Sequence, residues 1–285
     1  MSVQLAALLC NIALAIMKFV VGALAGSRAL IADAFNSTGD VVATLVAWLA
    51  FRYGARPPDE DHPYGHGNAE TLAGLLIGGM ICATGAFIFV DGLVAAVVDP
   101  ERVAPDRFAI WATLVTAGVK EVLYRVSMTV GRRNNSPTLL ASARDHRADV
   151  FASLVALLGI LVANLGWPAF DAIAATAIGV YIFLLGLKPV RDNTAILMHE
   201  APPELTRTVS RLAAAVPGVI AVTQVRVQPL GGSHRVDMIL QVDGELSVAD
   251  AHELAHRVEG AVLANDGSIL EVHVHVEPHA APGRT

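Results

Sequence analysis

Charge is scarce in this chain. Only 16% of its 285 residues are Asp, Glu, Lys or Arg, whereas an ordinary soluble domain carries about 25%. Apolar residues make up 54% of the sequence. This composition excludes a conventional soluble domain over the whole length and indicates a membrane protein.

Cysteine is also scarce, and no secretory signal is evident. Cys10 and Cys82 both lie in apolar runs, so the sequence implies no disulfide framework. The first apolar run has no basic segment before it, and Lys18 falls inside a pattern that continues beyond that residue. We therefore predict that this run is a transmembrane helix and not a cleaved leader.

Six apolar runs are each near the length that crosses about 30 Å of hydrocarbon. The chain becomes polar after Lys188. We predict an α-helical membrane domain of six transmembrane helices over residues 1–190, followed by a soluble domain over residues 195–280. The runs lie at 4–26, 29–52, 70–98, 107–131, 138–164 and 169–188.

Basic residues in the short loops predict the orientation of these helices. Counting Lys and Arg on alternate sides gives six residues against three, and the richer side is expected to face the cytoplasm. This prediction places both termini in the cytoplasm and the helices in the inner membrane of the cell.

Two of the runs carry polar side chains that are costly inside a bilayer. Asn36 and Asp40 are four residues apart in the second run, and Asp145 and Asp149 have the same spacing in the fifth. Residues at this spacing share one face of a helix. Four inward-facing oxygen donors, three of them on carboxylates, favour a divalent cation bound near the middle of the membrane.

A less specific interpretation is open for the fifth run. Asp145 and Asp149 could form an interfacial cap with Arg144 and Arg147, whose long side chains would reach the aqueous boundary. The matching pair on the second run argues against this cap. Other aspartates at or near membrane depth are assigned to the outer access path (Asp33) and to structural positions near the outer surface (Asp91 and Asp171).

Three stretches of the chain are similar to parts of one known family. They are "NIALAIMKFVVGALAGSRALIADAFNSTGDV", "ARPPDEDHPYGHGNAETLAGL" and "SPTLLASARDHRADVFAS". They resemble the first two helices, the loop between helices two and three, and the fifth helix of the cation diffusion facilitator family. The resemblance covers nearly the whole chain. It implies a homodimer that exports a divalent cation through a four-residue site, which here matches Asn36, Asp40, Asp145 and Asp149.

One position departs from the zinc-transporting members that the chain resembles. Those members carry His where this chain has Asp145. His146 is turned about 100° around the helix, so we do not expect it to replace that ligand. The implied site has only oxygen donors, which suit hard cations such as Mn²⁺, whereas imidazole suits Zn²⁺. The resemblance therefore implies a Mn²⁺ exporter, with export of Zn²⁺, Fe²⁺, Co²⁺ or Cd²⁺ as the alternative.

The segment between the second and third runs contains "DEDHPYGHG", in which Asp59, His62 and His66 lie close together. Pro63 and the neighbouring glycines favour a fixed turn over a helix. The resemblance implies that the three residues form the family's secondary cytoplasmic metal site. The alternative is that the histidines only tie the loop to the helix ends.

The polar C-terminal part shows alternating helix and strand patterns. Its strands alternate as half-buried strands do, and the order αββαβ is typical of a small two-layer α+β domain. This part resembles the ferredoxin-like cytoplasmic domain of the same family. The predicted helices are 203–215 and 247–264, and the predicted strands are 219–229, 234–243 and 269–277.

The second of these helices contains "HELAH", which matches a zinc-protease motif with two histidines one turn apart beside a glutamate base. The match offers a membrane-anchored metalloprotease as a rival function. We reject that function because so small a domain has little room for a third ligand and a peptide cleft. It would also leave the membrane aspartates unexplained. We expect that the chain is not an enzyme.

We assign the histidines of this domain to regulation instead. His275 shares a strand face with His273. The resemblance implies that His252 matches the family's metal-responsive position, with His234 and Glu277 nearby. A metal ion bound there, between two copies of the domain, would act as a regulator. The alternative is that these are ordinary surface histidines.

The carboxylates of the membrane site indicate how transport is driven. Three carboxylates cannot all ionise cheaply in a water-poor site without a cation, so protons are expected there when metal is not. This favours cation/proton antiport by alternating access. A channel is the competing class, but a closed four-ligand site binds too tightly for fast conduction. We expect no cofactor and no nucleic-acid partner; the expected partners are lipid, a second copy of the chain, divalent cations and protons.

Overall fold

The computed structural model describes residues 2–98, 103–133 and 137–279 of the chain. Its N-terminal part contains six long α-helices, and each apolar run in the sequence forms one of them. Their bounds are α1 Ser2–Ala25, α2 Arg28–Gly54, α3 Asn68–Val98, α4 Phe108–Arg133, α5 Pro137–Asn164 and α6 Ala169–Leu197. The predicted α-helical membrane domain is confirmed.

Two compact units divide the chain. One contains Met1–Ala47 with Leu76–Val190, and the other contains Trp48–Leu75 with Arg191–Thr285. The second unit therefore combines the C-terminal domain with the facing ends of α2 and α3 and the segment between them. A division by hydropathy near residue 190 does not reveal this grouping, because it is made by tertiary contacts.

One of the six helices differs from the others in composition. Among the described residues, five helices are long and apolar enough to cross a membrane, and α4 is the one left out. It is 26 residues long, but Lys120, Glu121 and Arg125 lower its hydropathy. Lys120 is nevertheless completely buried, so protein and not lipid surrounds its ammonium group.

The last long helix continues past its predicted end at residue 188. α6 runs to Leu197 and includes Pro189. It ends where His199 adopts a left-handed conformation with φ 58°. The backbone N–H of His199 donates to Ile196 O, and that of Glu200 donates to Ala195 O, which satisfies the final carbonyls. Hydropathy marked the end of the apolar run, whereas backbone hydrogen bonding decides where the helix ends.

Small residues bring α3 and α6 into close contact. A Cβ atom on Gly85 would lie 2.4 Å from the backbone nitrogen of Phe183, and one on Gly179 would lie 2.5 Å from that of Phe89. Only glycine fits at such backbone separations, which is how small residues pack membrane helices. Through this contact, α3 and α6 pack against each other beside α2.

The C-terminal domain has the predicted order αββαβ and is confirmed as a helix-and-sheet domain. Strand β1 pairs antiparallel with β2, and β2 pairs parallel with β3, in the order β1-β2-β3. Apolar residues from the helices and strands, such as Val209, Val236 and Val258, form its buried core. The elements are α7 Pro203–Ala214, β1 Ala221–Leu230, β2 Ser233–Val242, α8 Val248–Leu263 and β3 Ile269–Pro278.

Candidate metal centres

The polar pairs predicted on α2 and α5 meet through one contact. Asn36 Nδ2 donates a hydrogen bond to Asp149 Oδ1 at 2.8 Å. Asp149 is 4% exposed and Asn36 is half-buried. Within each pair, the spacing of four residues places both side chains on one face of their helix, and the two faces are turned towards each other. The structure therefore brings together one member of each predicted pair.

A third helix contributes a cation to the same carboxylate. Lys120 Nζ, on α4, lies 2.5 Å from Asp149 Oδ2, and both side chains are buried. A buried charge is costly unless it is paired, and this ion pair offsets part of that cost. Lys120 was not among the residues predicted from the sequence, although an ionisable residue inside a membrane span is itself a signal of function.

The other two predicted ligands stand near this pair but are not joined to it by hydrogen bonds. Asp40 is half-buried and lines a cavity of about 160 Å³ together with Asn36 and apolar residues of α3 and α6. Asp145 is exposed on α5. Both carboxylates interact electrostatically with Asp149 and Lys120. Among the described residues, no three acidic or histidine ligand atoms of this region lie within 4.8 Å of one another.

The interfacial cap is the competing interpretation for α5, and Arg147 has a different partner. Its Nη1 atom lies 2.6 Å from Glu121 Oε2 on α4, and its guanidinium stacks over the ring of Tyr124 at 5.1 Å. Arg147 is therefore engaged with α4. Asp149, the buried aspartate of α5, is paired with Lys120 instead.

Asp33 forms a buried ion pair with Lys18. Its Oδ2 atom lies 2.8 Å from Lys18 Nζ on α1 and accepts a hydrogen bond from Ser153 Oγ at 2.8 Å. Lys18 also donates to Ser37 Oγ at 2.9 Å. Lys18, Asp33, Ser37 and Ser153 are all completely buried. Asp33 therefore joins α1, α2 and α5, and its complete burial contradicts the expectation that it lines an outer access path.

Asp171 and Asp91 have the structural surroundings expected of them. Asp171 accepts hydrogen bonds from Ser27 Oγ at 2.6 Å and from the backbone N–H of Arg28 at 2.7 Å. A carboxylate at the first turn of α2 satisfies free N–H groups and complements the helix dipole. Asp91 forms an ion pair with the Arg28 side chain.

His146 is buried beside the ion pair. It is 4% exposed, and neither ring nitrogen has a hydrogen-bond partner among the described residues. It interacts electrostatically with Lys120 and Asp149. It is not part of the predicted ligand set, and no hydrogen bond from its ring joins it to that set within the described residues.

The segment between α2 and α3 brings its three predicted ligands together. Asp59 Oδ1 lies 3.1 Å from His62 Nδ1, and Asp59 Oδ2 lies 3.2 Å from His66 Nε2. The three donor atoms all lie within 4.8 Å of one another. Two imidazoles and one carboxylate suit Zn²⁺, which takes a fourth ligand to complete a tetrahedron.

The turn itself favours the ionised form of Asp59. The backbone N–H of His62 donates to Asp59 Oδ1 at 2.7 Å, and this hydrogen bond lowers the pKa of Asp59. His66 is buried against the ring of Tyr53, with ring centroids 4.9 Å apart. Asp59 and His62 remain exposed, so an ion can reach the cluster from solvent.

The same segment lies against the β1–β2 turn of its unit. The Arg235 guanidinium stands 5.2 Å from the Tyr64 ring centroid. Its interaction with the Tyr64 side chain raises the pKa of Arg235. A Cβ atom on Gly67 would lie 3.0 Å from Leu230 O, so glycine permits this close approach.

The histidines of the C-terminal domain lie in several places. His252 lines a cavity beside α8 together with Val274 and Val276. His275 lies on the opposite, exposed face of β3, 3.8 Å from Glu277. His234 pairs with Ser268 Oγ at 3.2 Å. One copy of the chain does not bring these four predicted residues together, so a metal shared between two copies stays a prediction.

In the described part of the chain, no third His, Cys or carboxylate atom forms a group with both histidines of the HExxH match in which all ligand atoms lie within 4.8 Å of one another. His252 Nε2 and His256 Nε2 are 3.0 Å apart, and His256 Nδ1 lies 2.8 Å from Glu259 Oε2. Glu253 is exposed on α8. The arrangement differs from that of a zinc protease, in which a third ligand completes the site beside the base.

Sequence comparison finds two family profiles that together span most of the chain. One, described as cation efflux transmembrane domain, matches residues 4–198. The other, described as cation efflux protein, cytoplasmic domain, matches residues 201–279. The border between them falls just beyond the end of α6.

Several characterised proteins are similar to the chain over nearly all of their length. Manganese efflux system protein MneP of Bacillus subtilis (strain 168) is 30% identical, covering 97% of this chain and 95% of that protein. Magnetosome protein MamB of Magnetospira sp. (strain QH-2) is 30% identical, with coverage of 94% and 92%. Manganese efflux system protein MneS of the same Bacillus strain is 28% identical, with coverage of 93% and 91%.

Proposed function

We propose that this chain, which belongs to the cation diffusion facilitator family of cation efflux transporters, exports Mn²⁺ in exchange for protons. As a member of that family it is a multi-pass membrane transporter of metal cations and not an enzyme. The identity of the metal, the coupling to protons and the residues of the site are the parts that we propose.

The contact between Asn36 and Asp149 is the observation that carries the proposal. It joins the two helices on which the sequence places paired oxygen donors. With Asp40 and Asp145, the proposed ligands are three carboxylates and one amide oxygen. Such a donor set suits a hard cation. The names of the relatives MneP and MneS, both manganese efflux proteins, support the same choice. Export of Zn²⁺, Fe²⁺, Co²⁺ or Cd²⁺ is the alternative.

Proton exchange follows from charge. Asp40, Asp145 and Asp149 together carry three negative charges when ionised, and the Lys120 ammonium, which is paired with Asp149, compensates one of them. The excess is costly for the buried Asp149 and the half-buried Asp40. A dication neutralises it on entry, and protons neutralise it when the dication has left. Alternation between these two occupants, with the site open to one side at a time, gives antiport.

The remaining parts of the proposal concern control and assembly. We assign transport to residues 1–190 and regulation to a cytoplasmic domain over residues 195–280, with both termini in the cytoplasm and the protein in the inner membrane. Asp59, His62 and His66 would bind a second, non-transported ion. Metal at His234, His252, His275 and Glu277 would regulate a homodimer.

Flux through proteoliposomes tests the transport mechanism. The full-length protein is reconstituted with a pH-sensitive dye inside, and Mn²⁺ is added outside. We expect saturable Mn²⁺ uptake accompanied by outward proton movement, and no proton movement in protein-free vesicles. Saturable uptake without proton movement would contradict antiport, and flux that rises linearly with Mn²⁺ would favour a channel.

A further inference from the structure

Lysine is rare in this chain, and its location is unusual. The sequence contains three lysines, and two of them, Lys18 and Lys120, are completely buried among the long helices. Each is paired with a buried aspartate, Lys18 with Asp33 and Lys120 with Asp149. The two pairs nevertheless differ in how firmly the ammonium group is held.

Lys18 is fixed by two partners. Its ammonium contacts Asp33 and donates to Ser37, while Ser153 donates to the same carboxylate. Lys120 makes a single hydrogen bond within the described residues, to Asp149. An ammonium group has three N–H donors, and Lys120 uses one of them in this contact. Only the end of its flexible side chain is therefore held.

That contact uses the oxygen that a transported ion requires. Asn36 Nδ2 occupies one oxygen of Asp149 and Lys120 Nζ the other. Neither group is a metal ligand in this form, because an amide N–H and an ammonium are donors only. A divalent cation at Asp149 would also stand within a few ångströms of the ammonium and be repelled by it. Binding therefore requires Lys120 to withdraw.

We propose that Lys120 is a tethered competitor: its ammonium holds the cation position at Asp149, and a divalent ion binds by displacing it. The inference rests on the proposed transport site. Asp40 and Asp145 also attract the ammonium, so withdrawal from Asp149 leaves it within the field of the remaining carboxylates. The return of Lys120 to Asp149 helps to expel the ion after the site has opened to the other side.

The competitor also provides selectivity by charge. A monovalent ion such as Na⁺ carries the same charge as the ammonium and lacks its covalent tether, so it gains little by exchange. A dication brings twice the charge to the carboxylates and can therefore displace the ammonium. Lys120 would thus exclude monovalent cations and keep the affinity for metal low enough for release, as fast transport requires.

Three variants of the full-length protein separate this role from a structural one. Lys120→Met removes the ammonium and keeps the length of the side chain, whereas Lys120→Arg keeps the charge. Lys18→Met removes the other buried ammonium, which contacts none of the proposed ligands. Binding of Mn²⁺, with Zn²⁺ in parallel, is measured at one fixed pH with and without a high concentration of Na⁺. Initial transport rates supply KM and kcat.

We expect Lys120→Met to bind Mn²⁺ more tightly than the wild type by a factor of about ten or more, since the competing ammonium is gone. KM and kcat should both fall, because tighter binding slows release. Na⁺ should inhibit Mn²⁺ binding by Lys120→Met and leave the wild type unaffected. Lys120→Arg should retain the affinity within about threefold, and Lys18→Met should not tighten binding.

Weaker or unchanged binding by a folded Lys120→Met protein would overturn the proposal, since Lys120 would then only position Asp149. If Lys120→Met fails to fold, Lys120→Gln takes its place, and loss of folding in both would make Lys120 a structural anchor and likewise overturn it. A wild type that binds neither Mn²⁺ nor Zn²⁺ would instead contradict the proposed function itself.

Discussion

Asn36 and Asp149, 113 residues apart in the sequence, are joined by a hydrogen bond of 2.8 Å between α2 and α5. The amide nitrogen is the donor, so its oxygen is directed away from the carboxylate. For both residues to bind one ion, the amide must rotate and present its oxygen. The contact therefore joins the two helices, and the proposed ligand set is complete only when the amide has rotated and Asp40 and Asp145 have moved closer to it.

Removing a carboxylate from the proposed site should abolish transport. We expect Asp40→Ala and Asp145→Ala each to reduce the initial rate of Mn²⁺ transport by about 100-fold or more, because each removes an anionic ligand. Asp91→Asn is the control, since Asp91 pairs with Arg28 outside the site, and its rate should match the wild type. Normal transport by Asp145→Ala would favour the interfacial cap.

Asp149→Ala should have an additional effect on stability. It leaves the Lys120 ammonium buried without its partner, and breaking a buried pair costs about 3–5 kcal/mol. The double change Asp149→Ala with Lys120→Met should recover much of that loss, while transport stays absent. Thermal unfolding in detergent measures the stability, and equal stability of the single and double variants would contradict the pairing.

Replacing Asp145 by His should change the preferred metal. The change removes a hard anionic ligand and adds a nitrogen donor, which suits Zn²⁺ and Cd²⁺ better than Mn²⁺. A titrating imidazole should also make transport more dependent on pH between about 6 and 7.5. Initial rates with each metal at three pH values provide the test. An unaltered order of metals would show that Asp145 does not contact the ion.

Binding at the segment between α2 and α3 should depend on its histidines. His62→Ala should remove about one bound Zn²⁺ per chain, because it takes a ligand from the group of three. His279→Ala is the matched control, as His279 pairs with Gln241 and lies outside the cluster. Metal content is measured on the purified protein, and an unchanged content in His62→Ala would favour the interpretation that these histidines only secure the loop.

The histidines of α8 provide a test of regulation against proteolysis. Glu253→Gln should leave Mn²⁺ transport unaltered, because a regulatory metal site needs no base there. Changing His252 and His275 together should reduce the rise in the melting temperature of the full-length protein on addition of Zn²⁺. Peptidase activity that disappears in Glu253→Gln would reverse this assignment.

Periodicity in the sequence predicted what lies on one helix, and it could not predict what lies opposite. The spacing of Asn36 with Asp40 and of Asp145 with Asp149 follows from 3.6 residues per turn. Lys120 lies on a different helix, and its pairing with Asp149 is a tertiary contact. Its position within the fourth apolar run was a detectable signal, because a lysine in a membrane span needs a partner.

The C-terminal domain shows the same limit of sequence periodicity, which predicts single elements and not the contacts between them. Alternating apolar residues predicted its strands within two residues of their observed ends, since a half-buried strand has a period of two. The same alternation placed His273 and His275 on one face. It could not show that α8 and its His252 pack on the other side of the sheet, because this depends on how the helix crosses from β2 to β3.

Competition between metals tests the central claim most directly. The full-length wild type is reconstituted with a pH-sensitive dye inside, and Mn²⁺, Fe²⁺, Co²⁺, Zn²⁺ and Cd²⁺ are compared one by one and as competitors. An all-oxygen site predicts the highest ratio of kcat to KM for Mn²⁺, with proton movement in the opposite direction. A wild type that prefers Zn²⁺ or Cd²⁺ over Mn²⁺ would contradict the assignment of Asn36, Asp40, Asp145 and Asp149 as the ligands that select the ion.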